Sequence, residues 1–133
     1  MRINLSVFFL CFIILVNKAK TEKFILEITD ANYSKLITDN KSNKVILLLF
    51  YESSCLKCKR VEAFFNEIIN ISEEMHLSNV IFAKLNGFTY NKLAELHGVT
   101  DFPVVKFIWS KYKIESTYNG LINREAIINY LAR

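Results

Sequence analysis

The sequence predicts a single α/β domain in which helices flank a central mixed β-sheet. Its 133 residues suffice for one domain of ordinary size. Apolar residues make up 52% of the chain, and only 3 Gly and 1 Pro are present, which excludes a disordered tail and a collagen-like or proline-rich chain. Short apolar runs alternate with segments of helical spacing in the order β-α-β-α-β-α-β-β-α. Such alternation predicts a largely parallel sheet covered on both faces, and the closely spaced last two strands predict a hairpin.

The first half of the domain is predicted from two apolar runs. Residues 23–28 are predicted to form a short strand, and Thr29 or Asp30 can cap a helix over residues 31–38. Val45–Tyr51 has the sequence VILLLFY, which is apolar on both faces. This pattern is typical of a central strand that is buried on both sides.

A long amphipathic helix is predicted over residues 55–75. Its apolar residues recur at spacings of three and four, so that one face is apolar, and Ser53 and Ser54 stand where an N-cap is expected. Residues 79–85 predict the next buried strand.

The last third of the chain completes the predicted sheet. Thr89 can cap a short helix that ends at His97, and Gly98 suits the position after its C-terminus. Two strands and a final helix follow, at residues 104–109, 114–118 and 124–132, the helix being capped by Asn123.

The N-terminal segment is predicted to be a signal peptide, residues 1–19, that precedes the domain at residues 20–133. Residues 5–16 are an apolar run of 12 residues, which fits a secretory signal and is short for a membrane-spanning helix. Cleavage after Ala19 is plausible, although the site lacks a clean small-x-small pattern. An uncleaved anchor and a buried strand remain the alternatives.

Removal of this segment changes the expected partners. The net charge falls from +4 to +2, because Arg2 and Lys18 are lost, and no basic stripe with interleaved aromatic residues remains. We therefore expect no nucleic-acid partner, and no membrane partner unless the segment stays uncleaved. The chain ends at Arg133 without a KDEL-type signal, so the expected location is the endoplasmic reticulum lumen or the exterior. The sequence predicts no oligomeric state.

Cys55 and Cys58, the two cysteines of the mature chain, lie just after a buried strand and at the start of a helix. A helix N-terminus presents free N–H groups and partial positive charge, which stabilise a thiolate. Cys55 comes first and should be the exposed nucleophile. Cys58, one turn further on, should be the buried partner that resolves a mixed disulfide.

Two other uses of this cysteine pair remain open. A zinc site needs two more ligands, but the two histidines of the chain, His76 and His97, are too widely spaced for a typical zinc motif. A purely structural disulfide would close a very short loop and gain little stability. The prediction is therefore redox chemistry, with no metal and no organic cofactor.

Several stretches, in the same order, resemble the thioredoxin domains of protein disulfide isomerases. The resemblance covers residues 24–131 and rests on these segments: VILLLFY at 45–51, CLKCK at 55–59, LAELHGVTDFP at 93–103, YNG at 118–120 and REAIINYL at 124–131. It implies a thioredoxin fold and activity on client proteins that carry thiols or disulfides.

The resemblance also implies roles for three further residues. In the family a cis proline lies opposite the cysteine pair, and the backbone of the preceding residue contacts the substrate. Here these residues would be Pro103 and Phe102. The isomerase-type domains have an arginine near the last helix that approaches the second cysteine. Arg124 is the candidate, with a first-turn surface residue as the alternative.

Two of the departures from the family pattern bear directly on the chemistry. Ser54 stands where the family usually has Trp, so client contact should be weaker or different. Leu49 stands where a buried acid usually helps to move the proton of the second cysteine, so resolution by Cys58 should be slower. Between the cysteines, the charge of Lys57 can raise the reduction potential by roughly 20 mV, or it can be solvated without effect.

The sequence therefore supports two hypotheses. The first is a thiol–disulfide oxidoreductase of the secretory pathway that forms or isomerises disulfides in client proteins through Cys55 and Cys58. The second is a thioredoxin-fold binding or chaperone-like module with weak or vestigial redox activity, which the residues at positions 49 and 54 motivate.

Overall fold

The computed structural model describes residues 23–133, and the predicted signal peptide lies outside the described residues. A five-stranded sheet of order β1-β3-β2-β4-β5 is flanked by helices. β1, β3 and β2 run parallel, whereas β4 is antiparallel to β2 and to β5, so the sheet is mixed as predicted. In chain order the elements are β1 (Leu26–Ile28), α1 (Ser34–Thr38, a π-helical turn), β2 (Val45–Tyr51), α2 (Leu56–Ile71), β3 (Val80–Asn86), α3 (Asn91–Leu96), β4 (Val104–Trp109), a 3₁₀ turn (Ser110–Tyr112), β5 (Ile114–Thr117) and α4 (Arg124–Leu131).

β2 forms the centre of the molecule. All of its residues except Tyr51 are buried, which the apolar run predicted. One face of the sheet packs against α2 and α4, where Phe65 and Ile127 belong to one core cluster with Leu49. The other face packs against α1 and α3, where Ile37 lies in the second cluster. The two clusters explain why β2 needs apolar side chains at every position.

The start of α2 differs from the prediction. Neither Ser53 nor Ser54 caps the helix, because Cys55 itself is the N-cap and its Sγ accepts a hydrogen bond from the backbone N–H of Cys58. A cysteine sulfur therefore takes the position that a serine oxygen was predicted to hold. By contrast, Asn123 caps α4 as predicted, accepting from the N–H of Ala126.

Three helices are shorter than the periodicity predicts. The segment before α1 is a turn in which Asn32 Oδ1 accepts from the N–H of Thr29, so the helix starts late. α2 ends early because buried Ser72 donates its hydroxyl to the carbonyl of Ile69. α3 begins after Thr89, whose N–H donates to Asn86 Oδ1. In each case a short polar side chain bonds the local backbone in place of the helix.

Gly98 ends α3 in the left-handed conformation, with φ +68°, as its position predicted. Among residues 23–133, no helix combines the length and the apolar character that a membrane span requires.

Candidate redox site

The turn between β2 and α2 presents Cys55 at the edge of the sheet. Its N–H donates to the carbonyl of Glu52 at 3.3 Å, and its backbone is extended, with φ −81° and ψ 108°. In this conformation Cys55 Sγ lies 3.0 Å from the N–H of Cys58. The sulfur thus meets one of the free N–H groups at the positive end of α2, an arrangement that stabilises a thiolate.

Cys55 and Cys58 are joined as a disulfide, with their Cα atoms 5.2 Å apart. The two cysteines differ in accessibility. Cys55 is half-buried, whereas Cys58 is 1% exposed on the inner face of α2. Of the two sulfurs, the one of Cys55 is therefore the more accessible to solvent.

The segment before β4 lies beside the same turn. The Phe102–Pro103 peptide bond is cis. Pro103 directly precedes Val104, which pairs with Phe50 in the antiparallel β2–β4 register. This pairing brings Pro103 to the end of β2, next to the turn that leads to Cys55. The sheet thus unites two segments that are widely separated in the sequence.

The turn after β3 completes this edge. The N–H of Gly87 donates to the carbonyl of Tyr51 at 2.8 Å, which extends the β2–β3 pairing by one step. The ring of Phe102 covers Gly87 so closely that a Cβ there would lie 2.2 Å from Cε1 of the ring. Glycine is therefore required at position 87 for the Phe102 ring to take this place.

The comparison with protein families decides the family. The model of the thioredoxin family matches residues 24–133. This chain belongs to the thioredoxin family.

Curated relatives of this thioredoxin-family chain are protein disulfide isomerases. Protein disulfide-isomerase TMX3 of Mus musculus is 25% identical over 121 residues, which cover 91% of this chain and 25% of that protein. Protein disulfide-isomerase A6 of Homo sapiens is 26% identical over 111 residues, which cover 84% of this chain and 24% of that protein. The chain thus spans about a quarter of the length of these relatives.

Solved structures share the fold. The match to human ERp44 form I has a TM-score of 0.68 at 20% identity and covers 85% of this chain and 30% of that chain. The match to the Trx4 domain of ERdj5 has a TM-score of 0.67 at 15% identity and covers 83% of this chain and 94% of that one. The thioredoxin fold that the sequence resemblance implied is therefore confirmed.

The two predicted tuning residues lie in different surroundings. Lys57 is exposed in the first turn of α2, beside the cysteine pair. Arg124 begins α4, and its Nη1 lies 3.9 Å from Oε2 of Glu67. Glu67 is nine residues beyond Cys58, about 13 Å along the helix. The structure therefore places the Arg124 guanidinium at the surface of α2, away from the cysteines.

Both departures from the thioredoxin pattern are visible at the site. Leu49 is fully buried in the core beneath α2, so no acid stands at this position of β2. Ser54 is exposed, and its hydroxyl donates to Glu52 Oε1 at 2.9 Å. Large exposed apolar side chains nevertheless occur nearby at Leu56 and Phe88, 72% and 75% exposed.

A buried polar network on the other face of the sheet was missed from the sequence. His97, predicted at the end of a short helix, is buried between two partners. Its Nε2 lies 2.7 Å from Tyr33 Oη, and its Nδ1 lies 2.9 Å from a carboxylate oxygen of Glu115. Burial and the Glu115 charge raise the pKa of Tyr33. The only sequence signal was a histidine beside the C-terminal Gly98 of α3.

A second polar group lies under α2. Lys84 Nζ is 2.5 Å from Glu62 Oε1 and 3.7 Å from Glu27 Oε2. Tyr51 donates its hydroxyl to Glu27 Oε1 at 2.6 Å. Burial and this hydrogen bond raise the pKa of Tyr51. Within residues 23–133, no three His, Cys, Asp or Glu side chains are close enough together to bind a metal ion.

Proposed function

We propose that the chain is a thiol–disulfide oxidoreductase of the secretory pathway that forms or isomerises disulfides in client proteins. One observation carries this proposal: an accessible Cys55 caps a helix and is joined to a buried Cys58. The thioredoxin family and the disulfide isomerases among the relatives support it. A structural disulfide has no need of such asymmetry, whereas exchange requires one sulfur that clients can reach.

The chemistry follows from the two environments. In the reduced chain, the Cys55 thiolate attacks one sulfur of a client disulfide, and the other client sulfur leaves as a thiolate and takes up a proton. A mixed disulfide now joins Cys55 to the client. Cys58 then loses its proton and attacks Cys55 Sγ, which releases the second client thiolate. The client is reduced by two electrons, and the Cys55–Cys58 pair is oxidised by two.

The reverse sequence oxidises a client. A client thiolate attacks Cys55 Sγ in the disulfide, and Cys58 leaves as a thiolate. A second client thiolate then attacks the client sulfur of the mixed disulfide, and Cys55 leaves. The hydrogen bond from the Cys58 N–H to Cys55 Sγ favours this departure, because it stabilises the developing thiolate.

Phe102 and Pro103 are proposed to align the client beside Cys55. The end of β2 and the start of β4 bring them to the same edge as the cysteine pair. An extended client segment can pair there with the backbone of Phe102.

Two measurements test the redox proposal. The reduction potential of the Cys55–Cys58 disulfide is measured by equilibration with glutathione. We expect a value between roughly −120 and −230 mV, the range of exchange catalysts. A value below about −300 mV would identify a structural disulfide. In addition, Cys58→Ser should accumulate mixed disulfides with clients. Cys55→Ser, which removes the accessible sulfur, is the matched control and should accumulate none.

The secretory location is proposed from the apolar run at residues 5–16, which fits a signal peptide. The test is expression of the whole chain in eukaryotic cells, followed by N-terminal sequencing of the product. We expect a new N-terminus after Ala19 and protection of the product from protease outside sealed vesicles. An intact N-terminus on a membrane-bound product would indicate an uncleaved anchor.

A binding or chaperone-like module is the second candidate. The buried Leu49 and the exposed Ser54 favour it, because neither residue supplies the proton acceptor or the aromatic surface that the resemblance implies for an active enzyme. Under this alternative, Cys55→Ser leaves client binding intact and no thiol exchange is measurable. Loss of the cellular role in Cys55→Ser would favour the oxidoreductase.

A further inference from the structure

A surface pocket of about 350 Å³ lies at the proposed client-binding segment, Phe102 and Pro103, and Phe102 is one of its lining residues. Its walls include two aromatic rings, Phe88 and Phe102, together with the buried Val99. Glu95 is also among the residues that line the pocket. Among the described residues that line it, Glu95 alone is charged, so the pocket combines aromatic surface with a single negative charge.

The Phe88 wall is tied to the redox site. Asn86 Oδ1 accepts hydrogen bonds from the N–H groups of Phe88 and Thr89, both at 3.1 Å, which holds the turn after β3. Asn86 Nδ2 also lies 3.4 Å from Ser53 Oγ, in the turn that leads to Cys55. The backbone of Phe88 is therefore held in place, and the residue is 75% exposed. An exposed aromatic side chain on an anchored turn is suited to contact a ligand.

The other two walls come from α3 and from the segment before β4. Phe102 immediately precedes the cis Pro103, and its ring lies against Gly87, which also lines the pocket. Glu95 is exposed on α3, and within residues 23–133 no lysine, arginine or histidine nitrogen lies within 4.0 Å of its carboxylate. The carboxylate is therefore available to a cation from outside.

We propose that this pocket binds an arginine side chain of the client segment beside the reacting cysteine. The inference rests on the proposed oxidoreductase function and adds a client preference to it. A guanidinium is planar and weakly hydrated, so it stacks on the faces of Phe88 and Phe102 while it pairs with the Glu95 carboxylate. No other natural side chain supplies both a flat face and a fixed positive charge.

Other side chains fit the pocket less well. An aliphatic side chain packs against the two rings but leaves Glu95 unpaired. A client carboxylate is repelled by Glu95. A lysine pairs with Glu95 as a compact point charge but does not stack as a plane. The expected order of client preference is therefore arginine, lysine, leucine and glutamate.

The test is the rate at which the reduced chain reduces short peptides whose cysteine is joined to glutathione. The peptides differ in one residue next to the cysteine, which is Arg, Lys, Leu or Glu, in one series on its N-terminal side and in another on its C-terminal side. We expect the second-order rate constant for the Arg peptide to exceed that for the Leu peptide about fivefold or more in one of the series.

Two variants assign the preference to the pocket. Glu95→Gln should lower the Arg-to-Leu ratio about threefold, and Phe88→Ala should lower it by a similar factor. Because the ratio is taken within each variant, a loss of folded protein cancels. Glu74→Gln makes the same charge change in the turn after α2, and Phe24→Ala removes a phenylalanine that is 69% exposed before β1. Both controls should keep the wild-type ratio.

The outcomes separate this inference from the function on which it rests. Equal rates for all peptides, a preference for Leu, or an Arg preference that persists in Glu95→Gln would overturn the pocket assignment alone. Failure to reduce any peptide or glutathione disulfide would overturn the oxidoreductase proposal and the pocket assignment with it.

Discussion

Lys84 stands opposite Leu49 in the parallel register of β2 and β3, and its ammonium forms an ion pair with Glu62 of α2. Register partners in parallel strands point to the same face, so both side chains lie beneath α2, the helix that carries Cys58. The Lys84 ammonium therefore has the Glu62 carboxylate as its partner on α2 and Leu49 as its apolar neighbour on β2.

This relationship predicts the effect of Leu49→Glu. A carboxylate at position 49 would provide a proton acceptor beneath Cys58, with Lys84 beside it to favour the charged form. We expect release of a mixed disulfide by Cys58 to accelerate about tenfold or more. The free energy of unfolding should fall by about 3 kcal/mol, because position 49 is fully buried. Quenching at set times after rapid mixing measures the rate of mixed-disulfide release, and urea unfolding measures the loss of stability.

Leu47→Glu is the matched control for this variant. Leu47 points to the same face two residues earlier on β2 and is equally buried. The Leu47→Glu variant should lose a similar amount of stability and leave the rate of mixed-disulfide release by Cys58 unchanged. An equal acceleration in both variants, or in neither, would contradict a proton-acceptor role for position 49.

The charge of Lys57 is expected to raise the reduction potential. Lys57→Gln removes a cation beside the Cys55 thiolate, which destabilises the reduced form, and should lower the potential by roughly 20 mV. Lys59→Gln removes an equally exposed charge further along α2 and should change the potential by less. Equilibration with glutathione measures both, and identical potentials in the two variants would show that Lys57 is merely solvated.

Gly87→Ala should disturb the position of the Phe102 ring. An added Cβ would lie within 2.5 Å of two ring atoms, so the ring must move, at a cost of about 1–3 kcal/mol. We expect slower reduction of peptide clients, measured as the second-order rate constant with the reduced chain. Gly98→Ala is the control, because a Cβ there has no neighbour within 4 Å although its φ of +68° makes alanine strained. It should lower stability without changing the client rates, and equal rate losses in both would refute the positioning of Phe102 by Gly87.

The buried His97 network should contribute to stability. His97→Ala removes the partner of Tyr33 and of Glu115 together and leaves a cavity beside Phe50, whose ring centroid lies 5.3 Å away. The free energy of unfolding should fall by about 2–4 kcal/mol, measured by urea denaturation. His76→Ala, at an exposed position with a φ of 55°, should cost less than about 1 kcal/mol, because both residues carry a Cβ there. Similar values for the two variants would contradict a structural role for the network.

The raised pKa of Tyr51 predicts a loss of stability at alkaline pH. In the folded chain, burial and the hydrogen bond to Glu27 keep the phenol protonated, whereas the unfolded chain loses this proton at a pH of about 10. The stabilising contribution is therefore complete below pH 10 and is lost as the pH rises toward the folded pKa. Because Tyr51 is partly solvated, its share of the slope is less than about 1.4 kcal/mol per pH unit.

Tyr51→Phe should flatten this slope between pH 10 and pH 12, measured by urea unfolding at fixed pH. Glu27→Gln should flatten it in part, because it removes the charge and weakens the hydrogen bond that hold the proton on Tyr51. An unchanged slope in both variants would show that other groups govern the alkaline transition.

Local patterns accounted for most of the fold. The apolar run of Val45–Tyr51 predicted the central strand, and Asn123 and Gly98 were predicted at the helix ends where they are found. The errors lie at helix boundaries. There Asn32 and Ser72 bond nearby backbone groups, and apolar periodicity does not report those bonds.

The sequence by itself determined the order of strands and helices and the cysteine pair at a helix start, because these depend on neighbouring residues. It also determined the family resemblance that implies a cis proline at Pro103, because that resemblance depends on short motifs. Only the tertiary structure decided the buried Tyr33–His97 pair, 64 residues apart, and the pocket between Phe88 and Phe102. Such groups are assembled by strand register and helix packing, which join distant segments through contacts that no local spacing encodes.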